Sequence, residues 1–278
     1  MKTKAIYLTT ILTLATAFLS SNCLAADHAS DEGLYLRYGE GESMATLLVN
    51  QDISAGGHAS IAKRSFQLGF EINGANDAVM FSINKAKGSY TAHDMTQRLP
   101  ASGLKGQSFS LAKVDGGRAL HPGDSDQKLE IGLGQMVGLN YPVGLALADV
   151  LPALPESPVG VGSTWVSNRD TRSLEGWAWT VGSLSTEHAV TAIEQLDGHS
   201  IVSVTSTAHA QLTDIESGIK YSGDGLLSRT SHWRFDATDG KLLSISMEQS
   251  TSGQNTLPQG TIEVEQLTVV EFSLLQGG

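Results

Sequence analysis

The sequence predicts an all-β, mainly antiparallel domain: one large curved sheet or half-barrel with one or two short helices packed at its mouth. Three observations predict it. Apolar and polar residues alternate along much of the chain, as at Phe66, Leu68, Phe70 and Ile72, with Gln67, Gly69 and Glu71 on the other face. A period of two marks a strand buried on one side. Between such runs stand Asp115-Gly116-Gly117, Asp197-Gly198 and Asp239-Gly240, residues that accept the positive φ of tight hairpins. Strand, turn and strand then follow one another without a βαβ rhythm, which disfavours a parallel sheet.

The N-terminus is read apart from the fold. Lys2 and Lys4 precede an apolar run from Ala5 to about Leu19, and Cys23-Leu24-Ala25 supplies a small-residue ending. This is the pattern of a secretory signal peptide over 1–25, cleaved after Ala25 or Ala26. The run is short for a membrane span, and Ser20, Ser21 and Asn22 follow it directly. A lipid anchor on Cys23 is the alternative, and Asn22 stands where a lipobox wants Gly or Ala. Cys23 is the sole cysteine of the 278 residues, so the exported chain would rest on its core without a disulfide. The expected location is the periplasm or the medium, with no stable membrane span after cleavage.

A flexible stretch over 26–32 leads into one β-rich domain, 33–275. An N-terminal strand set occupies 33–123, with strands around Leu34–Tyr38, Met44–Asn50, Phe66–Ile72, Val79–Ile83 and Ser108–Val114. A C-terminal set occupies 159–275, with strands at Trp177–Gly182, His188–Leu196, Ser200–Leu212, Leu226–Phe235, Leu242–Glu248 and Ile262–Leu274. Between them lies a central apolar segment, 125–154, read as helical. Ile131–Ala148 carries no charge, but Gly132, Gly134, Gly138, Pro142 and Gly144 make it a poor membrane helix. A short helix over Gly144–Leu154 is expected instead, its Leu147, Val150, Leu151 and Leu154 facing the sheet.

Leu154-Pro155-Glu156-Ser157-Pro158-Val159-Gly160-Val161-Gly162-Ser163-Thr164-Trp165 follows. The prolines hold the chain extended, the glycines allow close backbone passage, and Trp165 buries a ring as a strand begins. This L-P-x-x-P-V-x-V-G-x-x-W string resembles a motif of uncharacterised exported bacterial proteins, grouped as a domain of unknown function. Leu36-Arg37-Tyr38-Gly39-Glu40-Gly41-Glu42, with Gly41 inserted, and Phe235-Asp236-Ala237-Thr238-Asp239-Gly240-Lys241-Leu242 are similar to further parts of that family's layout. The resemblance implies an antiparallel β fold and supplies no activity. At the level of fold alone, the expected shape is similar to periplasmic lipoprotein carriers, half-barrels with helices in the mouth.

Charge narrows the partners. The formal net charge is −11, and the first 25 residues hold two lysines and no acid, so their removal takes it to −13. Phosphate backbones repel such a surface, and nucleic acid is not an expected partner. No G-x-S-x-G elbow or Walker loop is present, and Ser60-Ile61-Ala62-Lys63 and Ser82-Ile83-Asn84-Lys85 lack the companion motifs of penicillin-recognising enzymes. Eight scattered histidines form no H-x-x-x-H pair. His199 and His209, ten apart on one strand, are separated by about 33 Å and cannot share an ion. Asp124, Asp126 and Glu130 are read as a polar loop rather than a Ca²⁺ site, because Lys128 breaks the spacing. No metal and no cofactor is expected.

The reading is therefore binding rather than catalysis: a lipid or other apolar small molecule held in the concave face under a glycine-laced cap. Trp177 and Trp179, two apart on a strand and so on one face, are the expected lining with Leu147, Leu151 and Trp165. Trp233 and Phe235 repeat the pairing later. The alternatives are an envelope protein-interaction or scaffold module and, below it, a hydrolase using carboxylates such as Glu263 and Glu265.

Overall fold

Where the alternation is strong the chain is extended, and the strands are long. The computed structural model describes residues 33–57, 62–75, 77–92, 95–99, 104–121, 129–131, 139–141, 147, 150–169, 179–180, 184–214, 225–257 and 260–275. The described residues from Leu34 on belong to one compact unit. The expected signal peptide and the stretch 26–32 lie outside the described residues.

In chain order the strands are β1 (Gly41–Ala55), β2 (Ala62–Gly74), β3 (Ala78–Ala92), β4 (Met95–Leu99), β5 (Ser108–Val114), β6 (Ala119–His121), β7 (Leu129–Ile131), β8 (Leu139–Tyr141), β9 (Thr164–Arg169), β10 (Trp179–Thr180), β11 (Leu184–Leu196), β12 (His199–Asp214), β13 (Gly225–Asp236), β14 (Lys241–Leu257) and β15 (Gly260–Leu275). Thirteen form one antiparallel sheet in the order β6-β5-β3-β2-β1-β15-β14-β13-β12-β11-β9, with β4 beside β3 and β10 beside β12. The first and last long strands therefore meet in the middle. β7 and β8 make a separate two-stranded pair.

The sheet must curl. Between the β5 and β6 strands, the Arg118 carbonyl accepts from Leu154 N–H at 2.8 Å, and Gly162 N–H donates to Val190 of β11 at 2.9 Å. In the sheet order β6 and β11 are nine spacings apart, roughly 43 Å on a flat sheet. Residues 154 to 162 span at most about 29 Å. A tighter closure lies at Tyr38 and Gly39. Tyr38 N–H donates to Gly117 in the β5–β6 turn, and Gly39 N–H donates to Gly240 in the β13–β14 turn, both at 2.8 Å. Two turns five spacings apart in the sheet are thus joined through one peptide unit. Register shifts at Gly69/Phe70, Val190/Ala192 and Arg234/Phe235 add local bend near that end.

Glycine makes the closure possible. A Cβ on Gly39 would collide with the Asp239 carbonyl oxygen, and one on Gly240 (φ 68°) with Gly39 N. Gly74 faces the same crossing, its Cβ position 2.8 Å from the Gly39 oxygen. Lys113 Nζ donates to that oxygen at 2.7 Å. Burial pushes the Lys113 ammonium below its ordinary range, against the raising pull of Glu40 and Asp77.

The core fills this closed end. Leu36 and Tyr38 from the N-terminal segment and Leu147, Val150, Leu151, Leu154 and Val159 from the central segment pack on Leu47, Phe70, Phe81, Val202, Trp233, Phe235 and Phe272 of the sheet. Leu34 and Val159 pair as an isolated bridge, Tyr38 Oη donates to Pro152 O at 2.8 Å, and Trp165 Nε1 donates to Ala153 O at 3.1 Å.

Two expectations are corrected here. The fold-class expectation of short helices at the mouth fails: no helix is among the elements of the described residues, which are strands. Within Gly144–Leu154 the described Leu147 and Val150 are helical, with a Leu151 N–H to Leu147 O bond of 2.8 Å, and no helical residue follows from Leu151 to Leu154, where Pro152 and Pro155 oppose a helix. β7 and β8 occupy part of the stretch 125–154, where a helix is expected. Second, Leu34–Tyr38 is a crossing segment with one bridge, since its hydrogen bonds go to turns rather than to a neighbouring strand. A cavity of about 60 Å³ lies beside Tyr38, Leu151 and Phe272.

Gly39→Ala should lower unfolding free energy by about 2–3 kcal/mol in chemical denaturation, because the crossing has no room to relax. Gly160, whose Cβ position meets nothing within 4 Å, should tolerate alanine within about 0.5 kcal/mol. Equal losses at both positions would contradict the closure.

Candidate ligand site on the inner face of the sheet

Beyond the filled end, the inner face changes character. Inward positions are set by the pleat: on β13 they are Leu227, Arg229, Ser231, Trp233 and Phe235, all buried, while the residues between them are exposed out to Arg234. Pairing carries these positions across neighbouring strands. One row runs Thr186, Ala208, Arg229, Gln249, Thr268, Gln51, Arg64 and Tyr90, from β11 through to β3. Arg229, Gln249, Thr268 and Gln51 are all buried, Gln249 completely. The next row toward the closed end runs His188, Ser206, Ser231, Met247, Val270, Val49 and Phe66.

A polar belt therefore crosses the inner face, flanked by apolar groups on both sides along the strands. The closed-end core lies on one side. On the other stand two small clusters, Leu184 and Leu227 packed with Ala208 of the row itself on one wing, and Ile53, Ala62 and Val264 on the other. Buried polar groups demand partners, and the belt supplies most of them. Arg229 Nε and Nη2 donate to Gln249 Oε1 at 2.9 and 2.6 Å. Gln266 Nε2 donates to Thr268 Oγ1 at 3.0 Å. Gln249 Nε2 has no hydrogen-bond partner among the described residues.

At the β9 side the belt ends in an aromatic clasp. Trp165 and His188 are register partners, and their rings stack at 4.7 Å. His188 Nδ1 bonds Ser206 Oγ at 2.7 Å and Nε2 bonds Ser167 Oγ at 2.8 Å. Ser206 Oγ also accepts the Trp233 indole N–H at 2.8 Å. A serine beside a histidine has the contact of a nucleophile and base. Here both residues are buried, and the serine oxygen also satisfies a core tryptophan, so the contact serves as a packing clasp.

A second cluster lies at the closed end. His199, Asp236 and Asp239 place potential ligand atoms within 4.8 Å of one another. Hydrogen bonds account for the arrangement: Asp236 Oδ1 accepts from Thr238 N and Asp239 N in the hairpin turn, and Oδ2 pairs with His199 Nδ1 at 2.8 Å. The sequence considered His199 with His209; its true neighbours come from the adjacent hairpin.

Three of the five expected lining residues come together in one cluster. Leu147 and Leu151 are buried in the closed-end core, and Trp165 packs against it and joins the clasp. Trp179 begins β10 opposite Asp214, and Trp177 lies outside the described residues. Trp233 and Phe235 are core. Glu263 and Glu265 stand on the exposed face of β15. The belt itself went unread. Its signal was the interruption of apolar inward positions by Gln51, Arg229, Gln249 and Thr268 on separate strands, which only register aligns.

No family model matches the chain, and no curated protein matches it. The motif resemblance therefore stands on its residues alone. A solved structure described by the lipid–protein interactions of lipovitellin matches 87% of this chain at 10% identity, with a TM-score of 0.48. This chain spans 25% of that one. An outer membrane channel from Pseudomonas putida F1 is matched over 90% of this chain and 100% of its own, at 11% identity and a TM-score of 0.18. At these scores neither likeness carries an argument. Among the described residues, no helix is long and apolar enough to cross a membrane.

Ser206→Ala should cost about 1–3 kcal/mol, since it removes the acceptor of the buried Trp233 indole N–H. Urea denaturation checks this, and a change below about 0.5 kcal/mol would show that the clasp is not structural.

Proposed function

We propose that this chain is an exported, non-enzymatic binder of an amphiphilic molecule, held on the inner face of the sheet at the end away from the Tyr38–Gly39 closure. The observation that carries the reading is the polar belt set between apolar surfaces. A purely structural sheet would continue its core with apolar residues, because a buried polar group without a partner costs about 1–3 kcal/mol. An amphiphile matches the arrangement, its apolar part meeting the two small clusters and its polar part meeting the belt. The pair Trp177 and Trp179 belongs to the proposal through Trp179 of β10, which pairs with the Thr213–Asp214 end of β12. Export rests on the signal-peptide pattern of residues 1–25, and membership of the exported family rests on the motif after Leu154.

Native mass spectrometry of protein purified without detergent should show an added mass of a few hundred daltons that organic extraction removes. A clean apo mass, together with failure to take up an added C12 amphiphile, would contradict binding. N-terminal sequencing of the exported protein should begin at Ala26 or Asp27, and recovery with Met1 retained would contradict cleavage.

A further inference from the structure

We infer that a groove on the outer face of the sheet is a second binding site, and that its ligand is a neutral saccharide. The groove encloses about 380 Å³, within the range of small-molecule sites. Its side chains lie on the face opposite the belt, so the inference stands apart from the amphiphile reading. Two neighbouring rows across β12, β13, β14 and β15 build it. One runs Ser203, Arg234, Ser244 and Ser273, and the next runs Thr205, His232, Ser246 and Glu271. All of these are exposed or half-buried. Val204, Trp233, Ile245 and Phe272, which alternate with them, are buried on the inner face.

A polar outer face is ordinary for an antiparallel sheet, but a hollow in the convex side of a curled one needs a cause. Two causes are present. Serine and threonine hold five of the eight positions in the two rows, which keeps the floor low. Register shifts at Val190/Ala192 and Arg234/Phe235 bend the strands beside it. Thr191, at the first shift, lines the groove and donates from Oγ1 to Ser203 O at 3.1 Å.

Composition chooses the ligand. No apolar side chain stands in either row, so an acyl chain gains nothing there. Glu271 and the chain's net charge of −11 oppose an anion, and Arg234 opposes a cation. His232 Nδ1 bonds Thr205 Oγ1 at 3.0 Å, which joins the imidazole to the hydroxyl array. Serine and threonine hydroxyls both donate and accept, and so do those of a sugar. Four strands about 4.8 Å apart spread these groups over the length of a short glycan.

The test is amide chemical-shift mapping of the full exported chain titrated with maltotriose, cellotriose and tri-N-acetylchitotriose. At least one should bind with a dissociation constant of about 1 mM, the strength of a few exposed hydrogen bonds without ring stacking. Its shifts should centre on residues 203–205, 232–234, 244–246 and 271–273. Trigalacturonate, similar in size but anionic, should bind at least about tenfold more weakly. Ser244→Val with Ser246→Val keeps strand-favouring residues but fills the floor and removes two hydroxyls. It should weaken binding at least about tenfold. Ser203→Ala with Ser246→Ala adds no volume, should weaken binding about threefold to tenfold, and serves if the valine pair does not fold. Ser228→Val, on the outer face of β13 but outside the groove, should change nothing. Binding of none of the three neutral sugars, shifts centred elsewhere, or an equal loss with Ser228→Val would overturn the site. Tighter binding of trigalacturonate would overturn the neutral class.

Discussion

One peptide unit holds the architecture together. With Tyr38 bonded to the β5–β6 turn and Gly39 to the β13–β14 turn, two parts of the sheet that a flat arrangement would separate by about 24 Å are fixed within a residue of each other. The crossing needs glycine on both sides of the contact, at Gly39 and Gly240, and it draws Lys113 into a bond that burial makes costly for its charge. From this closure follow the curl of the sheet, the burial of Leu36 and Tyr38, and the seat on which Leu151 and Leu154 pack. The cap is thus a consequence of the crossing, and its apolar side chains fill the end that they cover.

A closed end makes the other end chemically distinct. Every strand from β11 round to β3 runs past the filled core, and at the next inward positions several of them switch to polar side chains in register. Isolated polar residues at inward positions would each be a local defect. Aligned across neighbouring strands, they become a continuous surface whose members satisfy one another, as Arg229 does with Gln249 and Gln266 with Thr268. The clasp of Trp165, His188, Ser206 and Trp233 anchors one border of that surface to the core. On the proposed function, stability and recognition are divided along the strand axis.

Strands were legible because alternation is local. Phe66 to Ile72 and Ile262 to Leu274 announce their faces without knowledge of neighbours, and Asp197-Gly198 and Asp239-Gly240 mark their hairpins. The short strands β4, β6, β7 and β8 left too few residues for a period to show. Leu34–Tyr38 has the composition of a strand but satisfies its backbone on turns, which depends on three-dimensional closure. The apolar run before Leu154 was read as helix because burial and helix share composition, while its glycines and prolines oppose helix propagation. The belt was hidden for another reason. Gln51, Arg229 and Gln249 lie far apart in sequence, and only pairing through β15 brings them into a row.

Photocrosslinking tests the division between closed and open ends most directly. A C12 carboxylate bearing a terminal diazirine, irradiated with the full exported chain and mapped by peptide mass spectrometry, should label inward positions within 51–66, 184–186, 206–210, 225–231 and 249–268. Labelling concentrated on 34–40 and 150–163, or on the outward residues of β13 and β14, would contradict the account.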